Sequence, residues 1–237
     1  MAEQHRDDDY PEILPEDSRT DYALEAAAAA ISLLPGLGGA IASVLSGWSV
    51  DRKRERVREV LSSLALRLAN LQSDVANEYV RTDEFEDLLD EALRRVAAER
   101  HESKRRLYRE FLVSAINAPG PYDEQLRILR TLEQLQAAHI TLIRAILQEP
   151  DPKHVDGIAG SFEATLKRRM PSFSQEQIGD LVRQLNDLRI TQLNPVGMMT
   201  ARGAEDLRAV VQPFGKRFVE YILAADREPM DDRKGRR

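Results

Sequence analysis

Val57, Leu61, Leu64, Leu68, Leu71 and Val75 alternate spacings of four and three along the chain. That spacing predicts a helix over residues 57–75 with a narrow apolar seam. Val60 and Ala65 widen the seam, so a bundle helix is expected in preference to an intermolecular coiled coil. A further helical stretch is predicted over residues 83–118. Phe85, Leu88, Leu89, Ala92 and Val96 make its first apolar face, and Leu107, Phe111, Leu112, Ala115 and Ile116 its second. Between the two lies a basic run, Arg100, Lys104, Arg105, Arg106 and Arg109, preceded by Arg94 and Arg95. Such a run could meet phosphates or acidic headgroups. Glu99, Glu102 and Glu110 stand at helical spacing from it, so a solvated, salt-bridged face is the expectation.

Pro119, Gly120 and Pro121 are the strongest punctuation, and a boundary is expected there. Beyond it, residues 123–135 read as a helix with Leu126, Leu129, Leu132 and Leu135 on one side. Residues 137–147 read as another, with Ile140, Ile143 and Leu147 inward. A loop over 149–160 precedes a short helix over 161–170, which ends before Pro171. Ser174, Gln175, Glu176 and Gln177 have the form of a capping box. The helix it opens should run to Arg189, with Ile178, Leu181, Val182, Leu185 and Leu188 apolar. Residues 190–193 and 207–212 can form two strands about a turn at Asn194, Pro195, Val196 and Gly197. Pro213 suits the first turn of a last helix, with Phe214, Phe218, Tyr221 and Ile222 inward.

One stretch breaks this amphipathic rhythm. Residues 26–50 carry no charge, in a chain that is 31% Asp, Glu, Lys and Arg. Residues 21–34 read as a helix capped by Thr20 or Asp21, residues 35–39 break it, and residues 38–48 read as a second short helix. Ala30, Leu33, Leu34, Leu37, Ile41, Val44, Leu45 and Trp48 are its candidate membrane or partner residues. Gly39, Ser43 and Gly47 recur every four positions, a face of small side chains that lets another helix approach closely. The 25 uncharged residues exceed the roughly 20 a bilayer-spanning helix needs. Each half alone is too short. The segment is therefore one kinked span, a shallow membrane hairpin, or a hairpin buried in the bundle. Acidic residues precede it, and Arg52, Lys53, Arg54, Arg56 and Arg58 follow it. Positive-inside logic keeps the C-terminal bulk in the cytoplasm, at the inner face of the membrane.

Charge sharpens this picture. The net charge is −6 over 237 residues, with eight Asp/Glu and two Lys/Arg in residues 1–21, against fourteen of each in residues 51–117. Residues 1–20 are thus expected to be a disordered acidic tail, and residues 227–237 a disordered basic one. The near-neutral bulk does not favour nucleic acid as a partner. A protein partner or self-association is expected. The absence of cysteine excludes disulfides, thiol nucleophiles and cysteine metal sites. The acidic opening does not fit an export signal.

Catalytic chemistry is not evident. His5, His101, His139 and His154 have no second ligand at metal-site spacing, and His101-Glu102 lacks the second His of a zinc helix. Gly36-Leu37-Gly38-Gly39 lacks the Lys and Ser/Thr of a phosphate loop. No nucleophile elbow occurs. The chain is expected to be non-enzymatic, without cofactor or metal.

The order of helices from residue 123, the exit Leu185-Asn186-Asp187-Leu188-Arg189-Ile190 and the tail from Gln212 to Ile222 resemble bacterial winged-helix domains. That resemblance implies DNA contact by the helix at residues 175–189, with Arg183 and Arg189, and by a wing at 194–206, with Arg202. Glu176, Asp180 and Asp187 oppose Arg183 and Arg189 on that helix, so protein contacts or scaffolding are expected rather than DNA. The PGLGG apolar segment, basic bundle and winged-helix-like end together are also similar to a poorly characterised group of bacterial helical proteins, which brings no activity with it. The expected architecture is mainly α. An N-terminal bundle over residues 21–118 carries the apolar hairpin, and a winged-helix-like α+β domain follows over 119–226.

Overall fold

The computed structural model describes residues 51–68, 78–154, 160–193 and 200–223. The apolar segment 26–50, both tails, the seam beyond Leu68 and the turn at 194–197 lie outside the described residues. The described chain is mainly helical: α1 Asp51–Leu68, α2 Asp83–Ala98, α3 Glu102–Asn117, α4 Tyr122–Gln134, α5 Ala137–Leu147, α6 Phe162–Arg169, α7 Gln175–Asp187, α8 Ala201–Glu205 and α9 Pro213–Ile222. Short 3-10 turns stand at Pro152–His154 and Leu207–Val210.

Local signals start three of these helices where the sequence places them. Thr82 caps α2 by accepting the Phe85 N–H at 3.3 Å, ahead of Asp83, Glu84 and Glu86, whose charge suits a helix N-terminus. Ser174 and Gln177 form the expected reciprocal box, with Gln177 N donating to Ser174 Oγ at 3.1 Å and Ser174 N to Gln177 Oε1 at 2.8 Å. Pro213 occupies the first turn of α9.

The expected continuous run over residues 83–118 is two helices. The break falls at residues 99–101, inside a run over 99–106 that contains no apolar side chain. Glu99 is extended, and its carboxylate takes the His101 N–H at 2.8 Å, which turns the chain between α2 and α3.

α3 is the central strut. It packs against α1, α2, α4 and the closing helix α9. Val57, Leu61 and Leu64 of the seam are buried with Phe85, Leu88, Leu89, Phe111 and Leu112. α5 packs against α6, α7 and the Leu207–Val210 turn. The apolar cluster runs through both halves, so Pro119, Gly120 and Pro121 form a turn between packed helices. Tyr221 of α9 stitches them: its hydroxyl donates to Ala118 O at 3.1 Å, and Ser114 Oγ donates to Tyr221 O at 3.0 Å.

The expected β-wing differs. Among the described residues there is no named strand, only an antiparallel bridge between Thr191 and Val211. Gln192 N donates to Val210 O at 2.9 Å and Gln212 N to Ile190 O at 3.0 Å. Residues 207–210, expected as a strand, are a 3-10 turn, and Arg202 lies on the short helix α8. Asn186 fixes the other edge of this segment. Its side chain accepts from Leu193 N at 3.0 Å and donates to Leu193 O at 2.7 Å. Thr191 and Val211 form a non-hydrogen-bonded pair, so these Leu193 groups lie on the edge that faces away from residues 210–212.

α7 ends at Asp187, two residues before Arg189, because Arg189 is left-handed with φ 56°. Arg189 N donates to Asn186 O at 2.9 Å and Ile190 N to Leu185 O at 3.0 Å, the two bonds of a Schellman closure. Glycine is the usual residue there. An L side chain in that conformation costs about 1 kcal/mol.

Candidate functional site

Among the described residues, four groupings of polar or charged side chains bear on function. The first is the opening of α1. Arg52 and Lys53 are exposed, Arg54 is half-buried, and none of the three forms an ion pair among the described residues. Arg58 pairs with Glu55 at 3.5 Å, and Arg56 donates to Ala97 O at 3.0 Å, clamping α1 onto the end of α2. The first three cations therefore stand on the turn that directly follows the uncharged segment.

The second is the basic run of α2 and α3. It is salt-bridged, as expected, but many partners come from elsewhere. Arg94 pairs with Asp90 at 2.8 Å and Arg95 with Glu91 at 2.9 Å. Arg95 also reaches Glu133 of α4 at 2.9 Å, and Arg105 reaches Glu59 of α1 at 3.0 Å. Lys104 holds Glu99 at 3.5 Å and Arg109 holds Glu110 at 3.1 Å. A groove of about 440 Å³ lies beside this run, floored by Leu107, Leu132, Leu135 and Ile140. The cations at its edge are engaged: Lys104 also donates to Glu133 O at 2.8 Å, and Arg106 and Arg144 are not free.

The third is an open groove between α4 and the end of α7, about 530 Å³ in volume. Arg127 and Arg130 of α4 and Arg189 line it, together with Asp123 and Asp187. Arg127 lies over the Phe214 ring with its guanidinium carbon 3.8 Å from the centroid. Of the three arginines expected to contact DNA, Arg189 alone lines this groove. Arg183 is tied to Asp180 one turn earlier, and Arg202 is exposed on α8. The sequence pattern does not single out Arg127 and Arg130, although their i, i+3 spacing places them on one face of α4.

The fourth is interior. Glu205 is 3% exposed and faces Arg168, Arg169 and the Thr165 hydroxyl. Burial pushes its carboxyl up, but the bonds to Arg168 and Thr165 and the two guanidinium charges outweigh that and hold it below the usual range. His139 is 1% exposed. Its Nδ1 accepts the Gln136 N–H at 3.0 Å, so the ring proton sits on Nε2 and is donated to Gln184 Oε1 at 2.7 Å. It closes a capping box at the start of α5, the packed or capping role expected of it.

No family model matches the chain, and comparison with curated proteins and with solved structures returns no match. Among the described residues, no group of three His, Asp or Glu is placed to hold a metal ion. No described helix is long and apolar enough to cross a membrane.

Burial of His139 lowers its pKa below 6.5, with the bond to Gln184 opposing and the Lys104 charge reinforcing the shift. The unfolded chain therefore takes up this proton at higher pH than the folded one. Its contribution to stability is complete above the unfolded pKa and declines as pH falls below it. The slope from one such group is at most about 1.4 kcal/mol per pH unit. Urea unfolding between pH 8 and pH 5 should be shallower in pH dependence for His139→Gln than for the parent. Equal slopes would remove His139 from the account.

Proposed function

We infer that the chain is a non-enzymatic helical protein that works at a membrane surface through residues 26–50, with its helical body serving protein contacts. One observation carries this reading. Arg52, Lys53 and Arg54 have no carboxylate partner among the described residues, whereas Arg95, Arg105 and Arg169 each hold one. They follow 25 uncharged residues, with Asp51 between. Apolar residues that enter an acyl phase, with basic residues at the headgroup level, reinforce each other.

Each basic residue near an anionic surface contributes about 1 kcal/mol, so three contribute on the order of 100-fold in partitioning. Full-length protein should float with vesicles containing phosphatidylglycerol. Arg52→Gln, Lys53→Gln and Arg54→Gln together should weaken that by about this factor, and added salt should act in the same direction. A protein that stays in the dense fraction with both anionic and neutral vesicles would end this reading.

The winged-helix alternative draws support from the capped helix α7, the Thr191–Val211 bridge and the closing helix α9. DNA binding draws less. α7 presents Glu176 and Asp187 to solvent, and Arg183 is engaged with Asp180. A mobility shift on duplex DNA at low salt, weakened by Arg189→Gln and Arg202→Gln, would favour that alternative.

A further inference from the structure

We propose that the groove between α4 and the end of α7 is a binding site for a terminal phosphate group, held by Arg127, Arg130 and Arg189. The three line one groove and none is ion-paired among the described residues. That sets them apart from Arg95, Arg105, Arg169 and Arg217, each of which holds a carboxylate. Guanidinium forks match the oxygens of phosphate, and three of them give each terminal oxygen of a dianion a partner.

Arg189 adds an independent argument. It occupies the left-handed position of the α7 closure, where glycine would be more stable. An arginine kept there at a cost in stability points to a use for its side chain. Arg127 adds a third. Its stacking on Phe214 orders the guanidinium in advance, so less freedom is lost when it binds.

Asp123 and Asp187 narrow the ligand. Both line the groove, and neither pairs with the arginines. A nucleic-acid strand would carry successive phosphates past these carboxylates. A single compact dianion can sit among the arginines without meeting them. The ligand is therefore a phosphate monoester, either on a soluble small molecule or on a lipid headgroup. The site does not depend on a membrane role for residues 26–50, because inorganic phosphate alone tests it.

The test is a titration of full-length protein with inorganic phosphate at constant ionic strength, followed through the arginine Nε–H resonances. Saturable shifts of Arg127, Arg130 and Arg189 at millimolar phosphate are expected, with acetate giving none. Arg130→Gln should weaken binding at least tenfold. Arg189→Gly should do the same while raising the midpoint of thermal unfolding, which separates loss of the ligand site from loss of the fold. Vesicles of phosphatidylcholine with phosphatidic acid identify the source. A gain over inorganic phosphate that is lost in Arg130→Gln marks a lipid headgroup, and an equal affinity marks a soluble ester. An absence of saturable shifts, a response to acetate equal to that for phosphate, or Arg189→Gly binding phosphate like the parent overturns the proposal.

Discussion

Gly215→Ala is expected to destabilise the protein by about 3 kcal/mol, the upper part of the range for overpacking a closed site. Gly215 lies in the first turn of α9, where alanine would ordinarily be favoured over glycine. Here a Cβ would stand 2.0 Å from Ile190 O and 2.8 Å from Ile190 C. Both are backbone atoms, so no side chain can swing aside. Ile190 cannot retreat cheaply either. Its N–H is held by Leu185 O at 3.0 Å and its carbonyl by Gln212 N at 3.0 Å. Moving it would open the α7 closure and the bridge to residues 210–212 together. Gly179 is the control. It sits in α7, and a methyl group added there would have nothing within 4 Å. Gly179→Ala should therefore stabilise by about 0.5–1 kcal/mol through helix propensity. Urea unfolding of the two variants should move the midpoint in opposite directions. If Gly215→Ala unfolds at or above the parent midpoint, α9 does not press against the Ile190 backbone in solution.

Most of the helices were legible in the sequence from their apolar stripes, sharpened at residues 82–85 and 174–177 by a side-chain cap. Residues 137–147 match α5 at both ends, and the Ser174–Gln177 box starts α7 where it should. The mainly helical body follows from those patterns. Three features were not legible, for physical reasons. The break between α2 and α3 has no proline or glycine to announce it. It falls in a polar run, where the Glu99 carboxylate takes the His101 N–H and turns the chain. The strands expected over residues 190–193 and 207–212 have a suitable apolar pattern. Short apolar runs do not distinguish a ladder from a turn, and with Leu207–Val210 coiled into a 3-10 turn only the Thr191–Val211 bridge forms. The arginine groove joins residues about sixty positions apart. Arg127 and Arg130 read locally as solvated positions on α4, and only the left-handed turn at Arg189 brings the third guanidinium to them. The uncharged residues 26–50, the strongest compositional signal in the chain, fall outside the described residues, and the membrane proposal for them rests on sequence and on the cations that follow.

Arg169→Met should cost roughly 3–5 kcal/mol, the range for removing one partner of a buried pair. For a body of this size that lowers thermal unfolding by roughly 10 °C or more. The side chain of Arg169 is 7% exposed. Its guanidinium donates to Ala145 O at 2.7 Å, Gln148 O at 3.3 Å and Glu149 O at 3.4 Å, the open carbonyls at the end of α5. It also donates to Glu205 O at 2.8 Å and Glu205 Oε2 at 3.4 Å, at the end of α8. One side chain on α6 thus closes two helix ends, where carbonyls lack intrahelical donors. Arg168, its neighbour, also pairs with Glu205 but is 37% exposed. Solvent can replace much of what Arg168 supplies, so Arg168→Met should cost markedly less. The acid limb gives a second readout. Because the folded pKa of Glu205 is depressed, its contribution is present above the unfolded value of about 4.5 and is lost as pH falls through the folded one. Removing Arg169 raises that folded pKa and moves the loss to higher pH. Thermal melts of the parent, Arg168→Met and Arg169→Met from pH 7 to pH 3 would show both effects. Equal destabilisation by the two methionine variants would mean that burial does not separate the two arginines, and that Arg169 is not the tie that joins α5, α6 and α8.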